Sequence, residues 1–246
     1  MGGIHLLVLV AAAAASAPIG AESSRRFLLL HGTGSSAGAF VNSPTARGAK
    51  EFLSGVPRRV DANSILVPPN WQYMAIDACN SDGDWWSGGD SFTGIGASIA
   101  AVEDAVVSSQ SVGIIGHEQG GTIAALVAAR SALGLGPPLK FAICCGASMP
   151  DSGPYAELLH KLRDTADASI PTLHCISKSS GNDPLPERAE ALAACFAPSA
   201  EILWHDRGSG MPPLSWWEQT RGFPERVTGG NRWVTQFAGP FYYKNE

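Results

Sequence analysis

Several features that would assign this chain to a familiar class of protein are missing from it. Its 17 lysines and arginines form no cluster, and with 22 aspartates and glutamates they leave a net charge of −5. A chain without a basic patch lacks the electrostatic footprint of a protein that binds nucleic acid or an anionic membrane. We therefore expect no nucleic-acid partner, and a small neutral or polar ligand fits the charge balance better.

The five cysteines show neither a metal-binding pattern nor a disulfide framework. Their number is odd, no Cys-x-x-Cys pair occurs, and the chain contains no Asn-x-Ser/Thr acceptor for glycosylation. Most of them lie in apolar segments, which predicts buried thiols that act as small hydrophobic side chains. We expect no cofactor and no bound metal.

No apolar run is long enough to cross a bilayer, so we expect no transmembrane span. The longest, at residues 4–17, ends in Ala-Ser-Ala at 15–17, which is typical of a signal-peptide cleavage site, although no positive segment precedes it. Residues 1–25 are interpreted as a targeting segment for secretion or an organelle, or as an N-terminal arm. Residues 26–246 are predicted to form a single domain, and the localisation stays open.

Strand-like and helix-like segments alternate along the chain. Apolar runs predict strands at 26–31, 64–67, 112–115, 141–145, 172–176 and 201–204. Helices are predicted at about 44–53, 92–107, 122–133, 155–166 and 187–196, and 70–90 is predicted to be a loop. This alternation indicates a mostly parallel central sheet with helices on both faces. With 246 residues and 45% hydrophobic content, one α/β domain is expected.

Residues 116–120 read Gly-His-Glu-Gln-Gly, between an apolar run and a helix-like stretch. This is the strand, turn and helix context of the nucleophile elbow of α/β-hydrolases, whose pattern is G-x-S-x-G. Glu118 stands where that pattern has serine. A carboxylate lacks the hydroxyl that a Ser-His-Asp triad deprotonates. The segment therefore predicts the fold without its usual reaction.

Further motifs, in the same order and spacing, resemble the FSH-type serine hydrolases of the α/β-hydrolase superfamily. They are Leu30-His31-Gly32, Gly116-x-x-Gln119-Gly120-Gly121, Cys145-Gly146-Ala147-Ser148, Pro171-Thr172-Leu173-His174, Pro186-Glu187-Arg188 and the segment 205–212. The resemblance covers nearly all of 26–212. It implies an α/β-hydrolase fold and, in the family, an esterase-like triad.

In this chain the resemblance implies a degenerate triad. Glu118 occupies the nucleophile position, Ser180 the position of the family's aspartate, and Ser209 that of its histidine. Asp183, three residues after Ser180, is a possible acid. His205 is a possible base, although the family has a structural histidine there.

The resemblance also implies an oxyanion hole made of backbone N–H groups, one from Gln119 and one near Thr33. These donors survive side-chain substitution. The Glu118 carboxylate could fill the hole by accepting hydrogen bonds from the loop after Gly32. His117 adjoins Glu118, but neighbouring side chains diverge on a sharp turn, so no direct pair is expected.

Three tryptophans, Trp71, Trp85 and Trp86, fall where the family has residues over its pocket. Aromatic rings there could stack on a small apolar ligand. They could equally pack on the domain itself or contact a protein partner.

Three functions from different classes follow, and whether the chain is an enzyme stays open. The first, which the sequence favours, is a pseudo-hydrolase with a binding or assembly role. The second is an isomerase or cyclase that uses Glu118 as a general acid or base. The third is a hydrolase with a rearranged set of groups, Glu118, Asp183 and His205.

Overall fold

Six strands and six α-helices lie in the part of the chain that the structure describes. The computed structural model describes residues 25–43, 71–80, 82–178, 186–206 and 222–228. The strands are β1 (Arg25–Leu30), β2 (Trp71–Ile76), β3 (Gly113–His117), β4 (Phe141–Cys145), β5 (Thr172–Ser177) and β6 (Ala200–His205). The helices are α1 (Ala37–Asn42), α2 (Ile95–Ser109), α3 (Gln119–Ala132), α4 (Gly153–Arg163), α5 (Pro186–Ala194) and α6 (Gly222–Thr228).

The strands form one parallel sheet in the order β2-β1-β3-β4-β5-β6. The chain passes from β1 to β2 on one side and then returns to β3 on the other side of β1. The strand order therefore reverses between β1 and β3, and in open α/β sheets ligands bind at the carboxyl ends of strands beside such a reversal. The loops after β1 and β3 meet there.

Alternate residues of each buried strand face two separate cores. Leu28 and Leu30 of β1 pack in a core with α2, α3, α4 and α5. Phe27 and Leu29 pack in the other core, with α1 and α6. Because helices cover both faces, β3 and β4 are almost continuously apolar, as buried parallel strands require. The predicted fold class is confirmed.

Two elements lie outside the strands and helices that the sequence predicted. The prediction of a loop over 70–90 was wrong at its start, because β2 forms there as an edge strand, and an edge strand needs no continuous apolar run. Helix α1 forms in the Ser/Gly-rich segment after β1. Its first turn is stabilised from outside: Ser36 Oγ accepts from the Ala39 amide at 3.1 Å, and Asp77 Oδ1 accepts from the Ala37 amide at 2.6 Å.

Some sequence predictions fall outside the described residues. These are the N-terminal segment up to residue 24, the helix at 44–53 and the strand at 64–67. Of the residues after 206, only 222–228 are described, and Phe223 packs edge-on against Phe141 in the core. Among the described helices, none combines the length and the apolar character that a membrane crossing requires.

The five cysteines are free thiols, of which only Cys79 is exposed. Burial raises the pKa of the Cys144 and Cys195 thiols, and a hydrogen bond with Cys175, followed by burial, raises the pKa of Cys145. Because the thiolate is the reactive form, these buried thiols are protected from reaction both by their inaccessibility and by their raised pKa.

We expect Ellman's reagent to titrate one thiol in the native protein and five in denaturant. A rapid reaction of the reagent with the native Cys79→Ser variant would contradict this expectation.

Candidate functional site

Glu118 joins β3 to α3 in a backbone conformation that side-chain-bearing residues rarely adopt. Its φ is +49° and its ψ is −119°. Two hydrogen bonds hold it there: its amide donates to Cys145 O at 2.8 Å, and its carbonyl accepts from the Thr122 amide at 3.0 Å. A strained residue of this kind costs about 1–3 kcal/mol and persists only where its surroundings fix it. The sharp strand-to-helix turn expected of a nucleophile elbow is therefore present.

Close backbone contacts explain the glycines around this turn. A Cβ on Gly116 would collide with the backbone of Gly120. A Cβ on Gly120 would collide with the carbonyl oxygens of His31 and Leu30, at the end of β1. The start of α3 can thus lie directly against β1 and β3 only because these positions lack side chains.

The Glu118 carboxylate points towards the loop after β1. Its Oε2 accepts a hydrogen bond from the Thr33 amide at 3.1 Å, and the side chain is 27% exposed. Thr33 is one of the two donors that the family resemblance assigns to an oxyanion hole. In this chain the Thr33 amide already donates to the side chain of Glu118, at the elbow itself.

Gln119 acts in the structure through its side chain. Its Oε1 accepts from the Trp85 amide at 2.8 Å, and its Nε2 donates to Trp86 O at 3.3 Å. These two bonds fasten the loop before α2 to the elbow. Sequence reasoning considered only the backbone N–H of Gln119, because a motif letter does not show where a side chain points.

The tryptophans occupy different environments. Trp85 is fully buried in the core, where its Nε1 donates to His31 O at 2.9 Å and its carbonyl accepts from Ser98 Oγ. Trp86 is half-buried, with its ring centroid 5.6 Å from that of Phe92. Trp71 begins β2. Trp85 therefore stabilises the fold beneath the site and does not lie over a pocket.

His31 is held as a neutral, structural histidine. Its Nδ1 lies 2.8 Å from Gly32 O, and its Nε2 accepts from the Ala78 amide at 3.1 Å. Only the neutral ring with its proton on Nδ1 satisfies both contacts. Burial lowers the pKa of His31, which favours the same form.

Two further histidines, His117 and His205, end the parallel strands β3 and β6 at the same edge of the sheet. His117 Nε2 is 4.0 Å from Glu118 Oε1, so the prediction that these neighbouring side chains diverge was wrong. The His117 ring also stacks on Phe40 at a centroid distance of 6.0 Å. His205 is buried at the end of β6, and burial lowers its pKa; the charge of Asp206 opposes this shift and that of His117 adds to it.

The remaining predicted site residues, Ser180, Asp183 and Ser209, lie outside the described residues. Within the described ranges, no three His, Cys, Asp or Glu side chains are grouped as metal ligands would be. The structure therefore brings together Glu118, Thr33, His117 and Gln119, with His205 close enough to His117 for their charges to interact.

Comparison with known protein families found a match over most of the chain. The sequence profile of a family described as serine hydrolase (FSH1) matches residues 21–220. No curated protein sequence matches the chain significantly.

Solved structures share the fold at low sequence identity. The structure of YahD with malic acid aligns with 90% of this chain and 99% of its own length, at a TM-score of 0.59 and 11% identity. Est1E from Butyrivibrio proteoclasticus with bound ferulic acid aligns with 91% of this chain and 96% of its own length, with a TM-score of 0.57 and 12% identity. The Bacillus cereus carboxylesterase aligns with 83% of this chain and 89% of its own length, with a TM-score of 0.56 and 14% identity. These likenesses establish the fold alone.

Proposed function

The chain belongs to the serine hydrolase (FSH1) family, and within it we propose that this protein is a pseudo-hydrolase that has lost serine-ester hydrolysis and keeps a binding or assembly role. In this proposed role the protein binds a small molecule or a partner protein. Its principal support is the hydrogen bond between the Glu118 carboxylate and the Thr33 amide at 3.1 Å.

This contact opposes ester hydrolysis in two ways. Acyl transfer passes through a tetrahedral intermediate whose oxyanion needs backbone donors that are aimed at it and unoccupied. The Thr33 amide already donates to a carboxylate, and a second negative oxygen beside that carboxylate would be repelled. The elbow also offers no hydroxyl for attack.

The family resemblance adds two further losses, with Ser180 at the aspartate position and Ser209 at the histidine position. A seryl hydroxyl cannot replace the imidazole that takes and returns the proton in triad chemistry. Restoring a serine at position 118 would therefore not restore the reaction.

One observation favours a second candidate, an isomerase or cyclase that uses Glu118 for proton transfer. The carboxylate is partly exposed and lies 4.0 Å from the His117 ring, so two groups capable of proton transfer lie side by side. The third candidate, a hydrolase based on Glu118, Asp183 and His205, has weaker support. His205 is fully buried at the end of β6, which hinders its access to a substrate water.

We expect the full chain to show no labelling by a fluorophosphonate probe and no turnover of short p-nitrophenyl esters above the buffer rate. Glu118→Ser should stay equally inactive, because it supplies a hydroxyl but neither a base nor an acid. An intact serine esterase serves as the positive control for both assays.

Three results would contradict the proposal. Ester turnover that disappears in Glu118→Ala would show that the carboxylate is a nucleophile. Exchange of solvent deuterium into a carbonyl compound that requires both Glu118 and His117 would instead establish the proton-transfer candidate. Hydrolysis by Glu118→Ser would show that only the nucleophile had been lost.

A further inference from the structure

A cavity of about 480 Å³ lies at the carboxyl edge of the sheet, between the loop after β1 and the loop after β2. Its polar lining residues are Ser35, Ser36, Asp77, Asn80 and Asp82, and small residues complete the described part of its wall. Its volume lies within the range of small-molecule sites in proteins.

The loop after β1 separates this cavity from the elbow. The Thr33 amide donates to Glu118, whereas the next amide, that of Gly34, donates to Asp84 Oδ1 at 2.8 Å. Glu118 is not among the described residues that line the cavity. The cavity is therefore separate from the turn that carries Glu118.

Contacts within the protein itself connect the two walls of the cavity. Asp77 Oδ1, from the loop after β2, accepts from the Ala37 amide at 2.6 Å. Gly83, whose φ is +76°, packs so closely on the backbone of Ser35 that a Cβ there would collide with it. A site held in shape in this way loses little freedom when a ligand binds.

The lining selects one charge class of ligand. Asp77 and Asp82 contribute carboxylates, and among the described lining residues there is no lysine, arginine or aromatic ring. Anions are repelled by such a wall and cations are attracted. The hydroxyls of Ser35 and Ser36 suit a ligand that carries hydroxyl groups of its own.

Asn80 adds an unsatisfied hydrogen-bond donor. Its Nδ2 is buried and has no hydrogen-bond partner among the described residues. A buried donor without a partner is costly, and an oxygen atom of a ligand within hydrogen-bond distance of it would remove that cost.

We infer that this cavity binds a small protonated amine that also carries hydroxyl groups, of the amino-sugar class. The ammonium group pairs with Asp77 and Asp82, and the hydroxyl groups bond to Ser35, Ser36 and Asn80. The inference goes beyond the proposed loss of hydrolysis, because it concerns residues that do not contact Glu118.

The test compares three ligands of equal ring size and different charge: glucosamine, glucose and glucuronate. Each is titrated into the isotope-labelled full chain and followed by amide NMR. We expect glucosamine to shift the amides of Ser35, Ser36 and Asp82, and to bind about tenfold more tightly than glucose. Glucuronate should leave these amides unchanged.

A double variant, Asp77→Asn with Asp82→Asn, should reduce glucosamine binding about tenfold, to the level of glucose. The asparagine at 77 keeps an oxygen for the Ala37 amide, so α1 keeps its stabilising contact. Asp104→Asn, on the exposed face of α2, removes a charge elsewhere and should change nothing.

Equal binding of glucosamine and glucuronate, or shifts confined to other surfaces, would overturn this inference. So would an equal loss of affinity in Asp104→Asn, since this would indicate attraction to the net charge alone. Ester turnover by the unmodified protein would refute the loss of hydrolysis but not the assignment of the cavity, so the two failures are distinguishable.

Discussion

Gly120→Ala should lower the free energy of unfolding by about 3 kcal/mol, the upper part of the usual range for forcing extra volume into a packed core. The added methyl group would collide with the carbonyl oxygens of His31 and Leu30. These are backbone atoms of β1 and its loop, so no side-chain rotation can make room. Either α3 or the central sheet must move. Urea unfolding followed by circular dichroism measures the change.

Gly38→Ala, in α1, is the matched control for this substitution. Nothing lies within 4 Å of the Cβ that it would add, and the Gly38 backbone is not left-handed. Alanine favours a helix over glycine by about 0.5–1 kcal/mol, so this variant should be unchanged or slightly more stable. If both variants lost the same stability, the close contact at Gly120 would not be the cause.

Acid should destabilise this protein well above the pH at which its carboxylates are protonated. His174 is buried in β5, with its Nε2 3.1 Å from Thr172 Oγ1, and burial lowers the pKa of His174 to about 3. In the unfolded chain the ring takes up a proton near its ordinary pKa of 6.5. Between these two pH values the unfolded state binds more protons, so stability falls as the pH falls, by about 1.4 kcal/mol per pH unit.

The difference between the native protein and His174→Gln in the slope of unfolding free energy against pH, from about pH 6 to pH 4, isolates the contribution of His174, because the buried His31 and His205 contribute to the slope of both proteins. His174→Gln should remove about 1.4 kcal/mol per pH unit from the slope. It should also lower stability at neutral pH, because the ring that packs on Phe196 is lost. His160→Gln, exposed on α4, lacks the burial that drives the effect and is the control. An unchanged slope in His174→Gln would mean that the buried ring does not oppose protonation.

The strand predictions succeeded where burial on both faces forces an apolar run. Residues 141–145 form β4 as predicted, and the helix predicted at 92–107 appears as α2, displaced by two or three residues at its ends. The predictions failed for β2 and α1. Both depend on partners distant in sequence: β2 pairs with β1, and the Ala37 amide in the first turn of α1 donates to the Asp77 carboxylate.

For the candidate site, the sequence identified the residues better than their contacts. It located Glu118 at the elbow, and it named Thr33 and Gln119 beside it. It did not show that the Gln119 side chain binds the backbone of Trp85 and Trp86. Nor did it show that Trp85 is buried, since an aromatic ring in a polar segment suits a pocket and a core equally.

The sequence by itself determined that this chain folds as an α/β-hydrolase and lacks the serine of the elbow, because apolar runs, glycines and the identity of residue 118 are local properties. The family resemblance suggested that the Glu118 carboxylate could accept from the loop after Gly32, but only the tertiary structure decided that it does so, through the Thr33 amide. Thr33 lies 85 residues earlier in the chain, and the two meet because the sheet places β1 next to β3, with both carboxyl ends at one edge. A carboxylate in reach of an unpaired amide at that edge accepts its hydrogen bond, and no pattern within 116–120 contains that amide.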